Sequence, residues 1–460
     1  MDKKYIYQEL FNRYIEPTKP ERKKYIGVEI EMPILNLNKQ AVDFDVIHKL
    51  TGAFMHAFIF KPTGYDDDGN VYAAQSESNN DILSYDCSYN NLELSFGRER
   101  NLNTIYKRFK SYYRFIREFL EPFNYTLTGM GINPYRAYNR NIPIENGRYR
   151  MLFHHLGSYK SYKLPMYFHE HPDFGTFSSA SQVQLDVEYN KLPLTLNTFT
   201  KLEPIKALLF NNSVMPGEHD DLHCCRDMFW ENSTHGINSH NIGMFACEFK
   251  NADDILKYIS STSIYCVERG GKYINFSPVN IVDYMNCEEI EGEYFENGSY
   301  KKLSFKPDIK DLKYLRTFKF EDLTFRGTVE FRSVCCQPIK DCMCVAAFHI
   351  GLMDKIEELS DILNNDEVIY RNGYTPAELR KLFVKSKLPD FVDVDKLYKL
   401  AKRIVDLSSK GLTERGLSEE VFLTPLYERI SRRTNPAKSL YDMLERGHKL
   451  EEIINYYSEI

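Results

Sequence analysis

Apolar residues alternate with polar residues at several places along the chain, and this spacing predicts β-strands. The stretch YIGVEIEMPI, which begins at residue 25, alternates apolar and acidic side chains, and NLELSFG at 91–97 does the same. Alternate side chains of a strand lie on one face, so each segment presents its polar residues together. Strands are predicted in this way at 24–34, 91–97, 181–189, 263–268, 272–276 and 325–333.

Apolar residues spaced three and four positions apart predict helices. These helices are predicted at 3–15, 44–60, 101–121, 191–211, 251–260 and 338–358. In TPAELRKLF, Thr375 has the position of an N-cap, Pro376 stands at the first helical position and Glu378 completes a capping box. From this motif to the end of the chain, nearly every segment is predicted to be helical.

This order of elements indicates an α+β fold, in which an antiparallel or mixed sheet carries helices on one face. The change of pattern near residue 366 divides the chain into a sheet-containing unit at 1–365 and a helical C-terminal section at 366–460. The sequence contains neither internal repeats nor a Gly/Ser-rich linker. We therefore expect the two parts to pack against each other.

Composition and charge narrow the class of protein. The chain has 460 residues, 27% of them charged, and a net charge of −6, which argues against a nucleic-acid partner because such proteins carry basic surfaces. No apolar run approaches the roughly 20 residues that span a bilayer, and the first residues lack the apolar core of a signal peptide. We expect a cytoplasmic protein. Its ten cysteines show no C-x-x-C spacing, so a zinc site is not predicted.

Acidic and amide side chains recur at alternating positions of four predicted strands. These residues are Glu29 and Glu31, Glu93, Gln182 and Gln184, and Glu330, with Asp86 seven positions before Glu93. If the strands are neighbours, their polar faces form one acidic surface, and carboxylates so close together stay ionised only with cations among them. Oxygen ligands without His or Cys favour Mg²⁺, with Mn²⁺ as an alternative. The competing interpretation is that each residue faces solvent from an ordinary half-exposed strand.

Basic residues accompany the acidic set. Arg332 lies two positions after Glu330 and therefore on the same face, and the ends of other segments carry Arg148, Arg226, Arg269 and Lys272. A guanidinium group binds a carboxylate or a phosphate through two parallel hydrogen bonds. The chain has neither the G-x-x-x-x-G-K-[ST] nor the G-x-G-x-x-G phosphate loop. A bound nucleotide would therefore depend on metal ions and these cations, unless the cations are ordinary surface charges.

Eight motifs in a fixed order resemble those of the glutamate–cysteine ligases, in particular the branch that includes the plant enzymes. They are GVEIEMPI, YDCSYNNLELSFG, GRYRMLFHHL, SQVQLDVEYN, LLFNNSVMPG, CRDMFWEN, SIYCVERGGKYI and GTVEFRSVCCQPI, and they run from about residue 25 to 355. This family belongs to the glutamine synthetase-like superfamily. The resemblance implies a curved, mainly antiparallel sheet that forms a funnel, with helices on its outer face.

The resemblance also implies site residues and chemistry. The metal ligands or their immediate supports would be Glu29, Glu31, Asp86, Glu93, Gln184 and Glu330. Arg226 and Arg332 would bind the glutamate carboxylate or the transferred phosphate, while the remaining implied positions are Arg269 and Lys272 near ATP and Gln182 and Tyr149 near the amino acid. The implied reaction is the ATP-dependent joining of the glutamate γ-carboxylate to the cysteine amine through a γ-glutamyl phosphate, which is the first step of glutathione synthesis.

Two departures from the family pattern leave the amine acceptor open. Cys335 stands where relatives commonly have Asp, and Gln184 stands where relatives have His or Asn. One alternative is therefore the same ligase chemistry with a different amine. Others are a metal-dependent phosphodiesterase or nuclease, which predicts a basic groove, and a binding protein that has lost catalysis. The sequence does not predict the oligomeric state.

Overall fold

The computed structural model describes residues 2–460 and consists of three sheets and fifteen α-helices. The strands are β1 Ile26–Asn36, β2 Phe60–Tyr65, β3 Val71–Ser76, β4 Ile82–Tyr85, β5 Asn91–Glu99, β6 Tyr125–Leu127, β7 Ser181–Asp186, β8 Ile242–Gly243, β9 Ser263–Arg269, β10 Lys272–Asn280, β11 Ile290–Glu296, β12 Ser299–Phe305, β13 Phe318–Lys319, β14 Glu321–Leu323 and β15 Thr328–Phe331. The helices are α1 Lys3–Leu10, α2 Phe44–Phe58, α3 Leu102–Leu120, α4 Gly147–Gly157, α5 Leu192–Phe210, α6 Cys225–Glu231, α7 Ala252–Ser260, α8 Ile281–Asn286, α9 Met343–Met353, α10 Ile356–Asn364, α11 Pro376–Phe383, α12 Val394–Arg415, α13 Thr424–Arg432, α14 Pro436–Glu445 and α15 Leu450–Ser458.

The main sheet has nine strands, in the order β14-β15-β7-β1-β5-β4-β3-β2, with β6 paired to the end of β1. All of its neighbouring strands are antiparallel. A second antiparallel sheet has the order β12-β11-β10-β9, and β8 and β13 form a short parallel pair. The predicted α+β class with a large antiparallel sheet is confirmed.

The alternation along β1 assigns its two faces to different environments. Val28, Ile30 and Met32 are buried in the main hydrophobic core, which also contains residues of α3, α5 and α9. Glu29 and Glu31 point to the opposite face and line a cavity. The helices therefore cover one face of the sheet, since burying its apolar side chains is the main favourable term in folding.

The C-terminal section is helical, as predicted. Its helix α11 begins with the expected capping box, in which the Thr375 hydroxyl accepts from the Glu378 amide and the Glu378 carboxylate accepts from the Thr375 amide. The same hydrophobic core includes Leu397 and Ile404 of α12 together with the strands of the main sheet. The division at residue 365 stays a prediction, because one core spans both sides of it.

Several elements differ from the predictions. The predicted helix 338–358 is interrupted, and its residues form α9, which is buried on all sides, and the start of α10, which buries one face. The predicted strand 325–333 is shorter and follows a hairpin turn after β14. Strands β2 to β4 were not predicted, and β2 contains Pro62 and Gly64, residues that weaken a strand signal.

Two further observations concern the described residues as a whole. No helix within residues 2–460 is both long enough and apolar enough to cross a bilayer. All ten cysteines are free thiols, and most of them are buried.

Candidate functional site

A cavity of about 600 Å³ lies on the polar face of the main sheet. Its floor is formed by β1, β4, β5, β7, β14 and β15, and its walls include α4, α6 and the segment 313–318. All six predicted metal-binding residues line it: Glu29, Glu31, Asp86, Glu93, Gln184 and Glu330. The structure thus brings together side chains from four separate regions of the sequence.

Strand register explains this convergence. Glu330 of β15 pairs with Gln184 of β7 and with Asp322 of β14, which forms one row across the sheet. Gln184 in turn pairs with Gly27 of β1. Glycine has no side chain, so the row of polar side chains ends at Gln184. Because directly opposed residues project to the same side, the row lies entirely on the cavity face.

Two more rows lie beside this one. Glu29 is opposite Gln182 on one side of β1, and Glu31 is opposite Glu93 on the other. Glu93 is also opposite Ser84 of β4. Like charges placed directly opposite each other destabilise a sheet, so this arrangement opposes stability and requires another explanation.

Neutral donors, rather than cations, bind most of these carboxylates. The backbone amide of Ala180 donates to Glu31 Oε2 at 2.7 Å, and Gln182 Nε2 donates to Glu31 Oε1 at 2.8 Å. Gln184 Nε2 donates to Glu330 Oε1 at 2.5 Å and to Glu29 Oε1 at 3.4 Å. These bonds orient the carboxylates without neutralising them.

Two of the remaining carboxylates also accept hydrogen bonds from neutral donors. Glu93 Oε1 accepts from the hydroxyls of Ser95 at 2.5 Å and Ser84 at 3.2 Å. Asp86 Oδ1 accepts from the Cys87 thiol at 3.6 Å. Glu330 is the exception, because Arg332 Nη1 donates to its Oε2 at 2.6 Å.

Burial and mutual repulsion both raise the pKa values of the carboxylates on the cavity floor. Burial, then the charges of Glu330 and Glu93, raise the pKa of Glu29 well above its ordinary value. Burial and the neighbouring Asp86 raise the pKa of Glu31 to about 8. The pKa of Glu93 is also raised, first by burial and then by Asp86. A divalent cation among these groups would stabilise their ionised forms.

The donor set fits a hard cation that shares its coordination with substrate. Within residues 2–460, no three His, Cys, Asp or Glu side chains are gathered closely enough to form a complete metal site by themselves. Mg²⁺ in phosphate-handling sites is commonly bound by one or two carboxylates plus water and substrate phosphate. The Gln182 carbonyl oxygen is buried without a hydrogen-bond partner and offers a further oxygen.

The two glutamines make different contacts, and the metal-binding role of Gln184 stays a prediction. Gln184 directs its amide nitrogen to Glu330 and Glu29, and its oxygen accepts from Arg326 Nη2 at 2.8 Å. Gln184 therefore supports the glutamates as a hydrogen-bond donor in this arrangement, and it is Gln182 whose oxygen is unpartnered.

Cations surround the acidic floor. Arg332 is paired with Glu330, and within the described residues six other cations of the cavity have no carboxylate within 4.0 Å: Arg13, Arg148, Arg226, Lys313, Arg316 and Arg326. Burial lowers the pKa of Arg332, but Glu330, Asp322 and Glu29 outweigh it and raise that pKa overall. Unpaired guanidinium groups beside carboxylates favour an anionic ligand that carries its own metal.

The predicted amino-acid-binding residues occupy one end of the cavity. Arg226 is at the start of α6, where its backbone amide donates to Ser213 Oγ at 3.1 Å and its Nε is buried without a partner. Tyr149 is at the start of α4, beside Arg148. Arg226 lies near Glu31, because its positive charge lowers the Glu31 pKa against the effect of burial and Asp86.

Arg269 and Lys272 do not line the cavity, and their position near ATP stays a prediction. Arg269 donates to both carboxylate oxygens of Asp311, at 2.5 and 2.6 Å. Lys272 donates to Glu296 Oε1 at 2.5 Å on the exposed side of the second sheet. Each cation is satisfied by a carboxylate near it, so their proposed contact with the nucleotide has no support from this geometry.

Several residues of the cavity were not predicted from the sequence. Asp322 lines it from β14, and burial raises its pKa to about 6. The short alternation of DLTF at 322–325 was a signal for this strand. The cations Arg13 and Arg316 had no such signal, because they belong to neither a strand nor an alternating segment.

The fold and this cavity define a class: an α+β protein whose antiparallel sheet presents carboxylates and arginines to one small-molecule site. No protein-family model matches the chain. It is 24% identical over 332 residues to glutamate–cysteine ligase A of Oryza sativa subsp. indica, a match that covers 69% of this chain and 61% of that protein. The glutamate–cysteine ligase of Solanum lycopersicum is 23% identical over 314 residues, which are 66% of this chain and 55% of that protein.

A solved structure shares the fold. The glutamate–cysteine ligase of Francisella tularensis, determined in complex with AMP, aligns with a TM-score of 0.53 at 11% identity and covers 96% of this chain and 88% of that one. The predicted resemblance to the plant glutamate–cysteine ligases is confirmed by this similarity in sequence. The chain spans only about three-fifths of the length of the plant relatives.

Proposed function

We propose that this protein is an ATP-dependent ligase that joins the γ-carboxylate of L-glutamate to the amine of L-cysteine and so forms γ-glutamylcysteine. The observation that carries the proposal is the convergence of Glu29, Glu31, Glu93 and Glu330 beside unpaired arginines in one cavity. The similarity in sequence to plant glutamate–cysteine ligases supports the same assignment.

The proposed reaction has two steps. A γ-carboxylate oxygen of glutamate attacks the γ-phosphorus of ATP, which forms γ-glutamyl phosphate and releases ADP. The amine of cysteine then attacks the acyl carbon, loses a proton and displaces inorganic phosphate. The product is an amide, and one ATP is converted to ADP and phosphate.

The cations of the cavity are placed for the charges of these steps. Arg332 is held at 2.6 Å from Glu330 and lies beside the row that also contains Asp322. A fixed guanidinium group there would stabilise charge that develops on the transferred phosphoryl group. Arg226, at the Glu31 side, is suited to bind the carboxylate of the amino-acid substrate.

We also propose that Mg²⁺, or Mn²⁺, binds with the nucleotide. One or two of the carboxylates of Glu29, Glu93 and Glu330 would hold each ion together with water and the triphosphate, with the Gln182 oxygen as a further donor, and the bound ion would neutralise triphosphate charge. The free thiols are consistent with a reducing compartment, and we propose a cytoplasmic location on that basis.

A phosphate-release assay tests the proposal. The protein is incubated with ATP, Mg²⁺ and glutamate, alone and with each of a panel of amines that includes cysteine, 2-aminobutyrate, glycine and ammonia. Phosphate release that cysteine stimulates, with γ-glutamylcysteine detected by mass spectrometry, is the expected result.

The same assay separates the alternatives. Stimulation by a different amine and none by cysteine would replace the acceptor but keep the ligase chemistry. Hydrolysis of a phosphodiester without ATP would replace the reaction class. ATP binding without turnover under any of these conditions would identify a binding protein.

A further inference from the structure

A second cavity, of about 110 Å³, lies between the main sheet and the helices that cover it. It is enclosed by the start of β1, the end of β7 and residues of α5, α9, α10 and α12. It shares no lining residue with the larger cavity of about 600 Å³. Gln184 of β7 lines the larger cavity and Leu185 lines the smaller one, because successive side chains of a strand point to opposite faces.

Part of the lining of this second cavity is apolar. It consists of Ile26, Leu185, Val187, Ile350, Met353 and Ile356. All of these side chains except Met353 are buried. An apolar cavity of about 150 Å³ holds a molecule of the size of benzene. The second cavity therefore has room for a short aliphatic chain.

Two buried polar side chains of the lining have donor atoms without a hydrogen-bond partner. Thr195 is 1% exposed, and its hydroxyl bonds to no other group. The Nε atom of Arg22 is likewise buried and unpartnered, although its other nitrogens donate to the Pro17 carbonyl and to Asp186. Buried polar groups are nearly always hydrogen-bonded, so these two donors favour a ligand that carries an acceptor, such as a carboxylate.

One charged side chain of the lining has no ionic partner. Within residues 2–460, Glu188 is exposed and has no cation within 4.0 Å. The other charged side chains of the lining are paired: Arg22 with Asp186, Lys24 with Asp354, Lys191 with Glu357 and Arg415 with Glu419. An unpaired carboxylate beside an apolar cavity favours a ligand that carries an ammonium group.

We infer that this second cavity binds a free aliphatic amino acid such as leucine. The aliphatic side chain lies against the apolar lining, the carboxylate accepts from Thr195 and Arg22, and the ammonium group pairs with Glu188. A concave apolar site with a few convergent polar groups is the usual form of a small-molecule site. The inference goes beyond the proposed ligase reaction, whose substrates bind in the larger cavity, and it does not depend on that reaction.

Isothermal titration calorimetry of the full chain, without ATP, tests the inference. The probes are L-leucine and three analogues, each of which lacks one part of it. 4-Methylpentanoate lacks the ammonium group, 3-methylbutylamine lacks the carboxylate and glycine lacks the aliphatic side chain. L-leucine is expected to bind, and each analogue is expected to bind about fivefold more weakly or worse, because it loses one set of contacts.

Two variants remove the polar partners one at a time. Thr195→Val keeps the shape of the side chain and is expected to raise the Kd for L-leucine about fivefold, while that for 3-methylbutylamine stays unchanged. Glu188→Gln is expected to raise the Kd for L-leucine about threefold, while that for 4-methylpentanoate stays unchanged. Glu21→Gln is the matched control, because Glu21 is exposed and precedes Arg22 but does not line the cavity. Its Kd values should equal those of the unmodified protein.

Three results would overturn the inference. They are the absence of a heat of binding with L-leucine, equal weakening of L-leucine and 3-methylbutylamine in Thr195→Val, and binding of L-leucine that only Arg226→Ala abolishes. The last result would place the ligand in the larger cavity, whereas an unchanged Kd in Arg226→Ala supports the second one. None of these measurements requires turnover, so a failure of the proposed ligase function would leave their outcome unaffected.

Discussion

Two groups of buried carboxylates lie within the same fold, one on the cavity floor and one behind the sheet. Behind it, Glu203 of α5 is bonded to Lys206 and Arg380, and Arg380 also donates to Asp227 Oδ2 at 2.7 Å. On the floor, Glu29 and Glu93 accept only from amides and hydroxyls. The first group has its counter-charges within the protein, whereas on the floor only Glu330 is paired with a cation, Arg332.

The pKa values of the two groups of carboxylates are shifted in opposite directions. Although burial opposes ionisation, Lys206 and Arg380 lower the pKa of Glu203 to about 2. The pKa of Glu29 is raised instead, by burial and by Glu330 and Glu93. A buried carboxylate that is fully paired supports structure, whereas a set of them left without cations points to a ligand that supplies the positive charge.

The two groups are also connected. Asp227 follows Arg226 in α6, and the Ser333 carbonyl, which accepts from Arg380 at 3.3 Å, follows Arg332. Arg380 thus fixes the backbone next to both predicted catalytic arginines from the helical C-terminal section. The network behind the sheet positions the site without taking part in it.

The largest effect is expected from breaking the paired network. Arg380→Ala should lower the free energy of unfolding by about 3–5 kcal/mol, because it leaves buried carboxylates without their partner. Chemical denaturation followed by circular dichroism measures this. Arg433→Ala, which removes an exposed pair with Asp395, is the control and should change stability by about 1 kcal/mol or less. Equal effects of the two changes would contradict the comparison.

Removing one charge from the cavity floor should reduce activity and leave stability nearly unchanged. Glu330→Gln is expected to reduce ADP formation by about 100-fold or more, since it removes a proposed metal ligand and the partner of Arg332. Its unfolding free energy should stay within about 1 kcal/mol of the unmodified protein, because relief of the repulsion with Glu29 offsets the lost pair and Arg332 keeps Asp322 as a neighbouring carboxylate. Glu358→Gln, an exposed substitution, should retain full activity. Unchanged turnover in Glu330→Gln would reject the site assignment.

Divalent cations should raise the thermal stability of the protein only while the carboxylates of the cavity floor are present. Mg²⁺ with ADP is expected to raise the Tm of the unmodified protein by about 2–4 °C. The double variant Glu29→Gln/Glu93→Gln should lose this increase, yet be at least as stable without the metal. Thermal unfolding with NaCl at matched ionic strength separates specific binding from screening. A metal-induced increase that the double variant retains would place the ion elsewhere.

The smallest effect is expected where the two groups meet. Cys335 is buried, with its Sγ 3.5 Å from Cys224 and 3.3 Å from Ser213 Oγ. Cys335→Ser should lower stability by about 1 kcal/mol, because the hydroxyl replaces the thiol in the same contacts. Denaturation and steady-state kinetics measure this, with kcat expected to change less than twofold. A large fall in kcat would assign Cys335 a direct part in the reaction.

Much of the fold was predictable because strong local patterns agreed with the final structure. The alternation around Glu29 and Glu93 predicted β1 and β5, and the capping box at Thr375 predicted the start of α11. Strands β2 to β4 gave no such pattern, since their sequence includes Pro62 and weak alternation. Local propensity predicts an element only where packing does not have to override it.

The site was predictable in part for the same reason. The sequence by itself determined that carboxylates and amides recur at every second position of four segments, because strand geometry places alternate side chains on one face. Only the tertiary structure decided that these faces meet in one cavity, that Arg13 and Phe325 join them, and that Arg269 is bound to Asp311 instead. Strand order and loop placement depend on contacts between residues far apart in the chain, and a local sequence pattern does not predict such contacts.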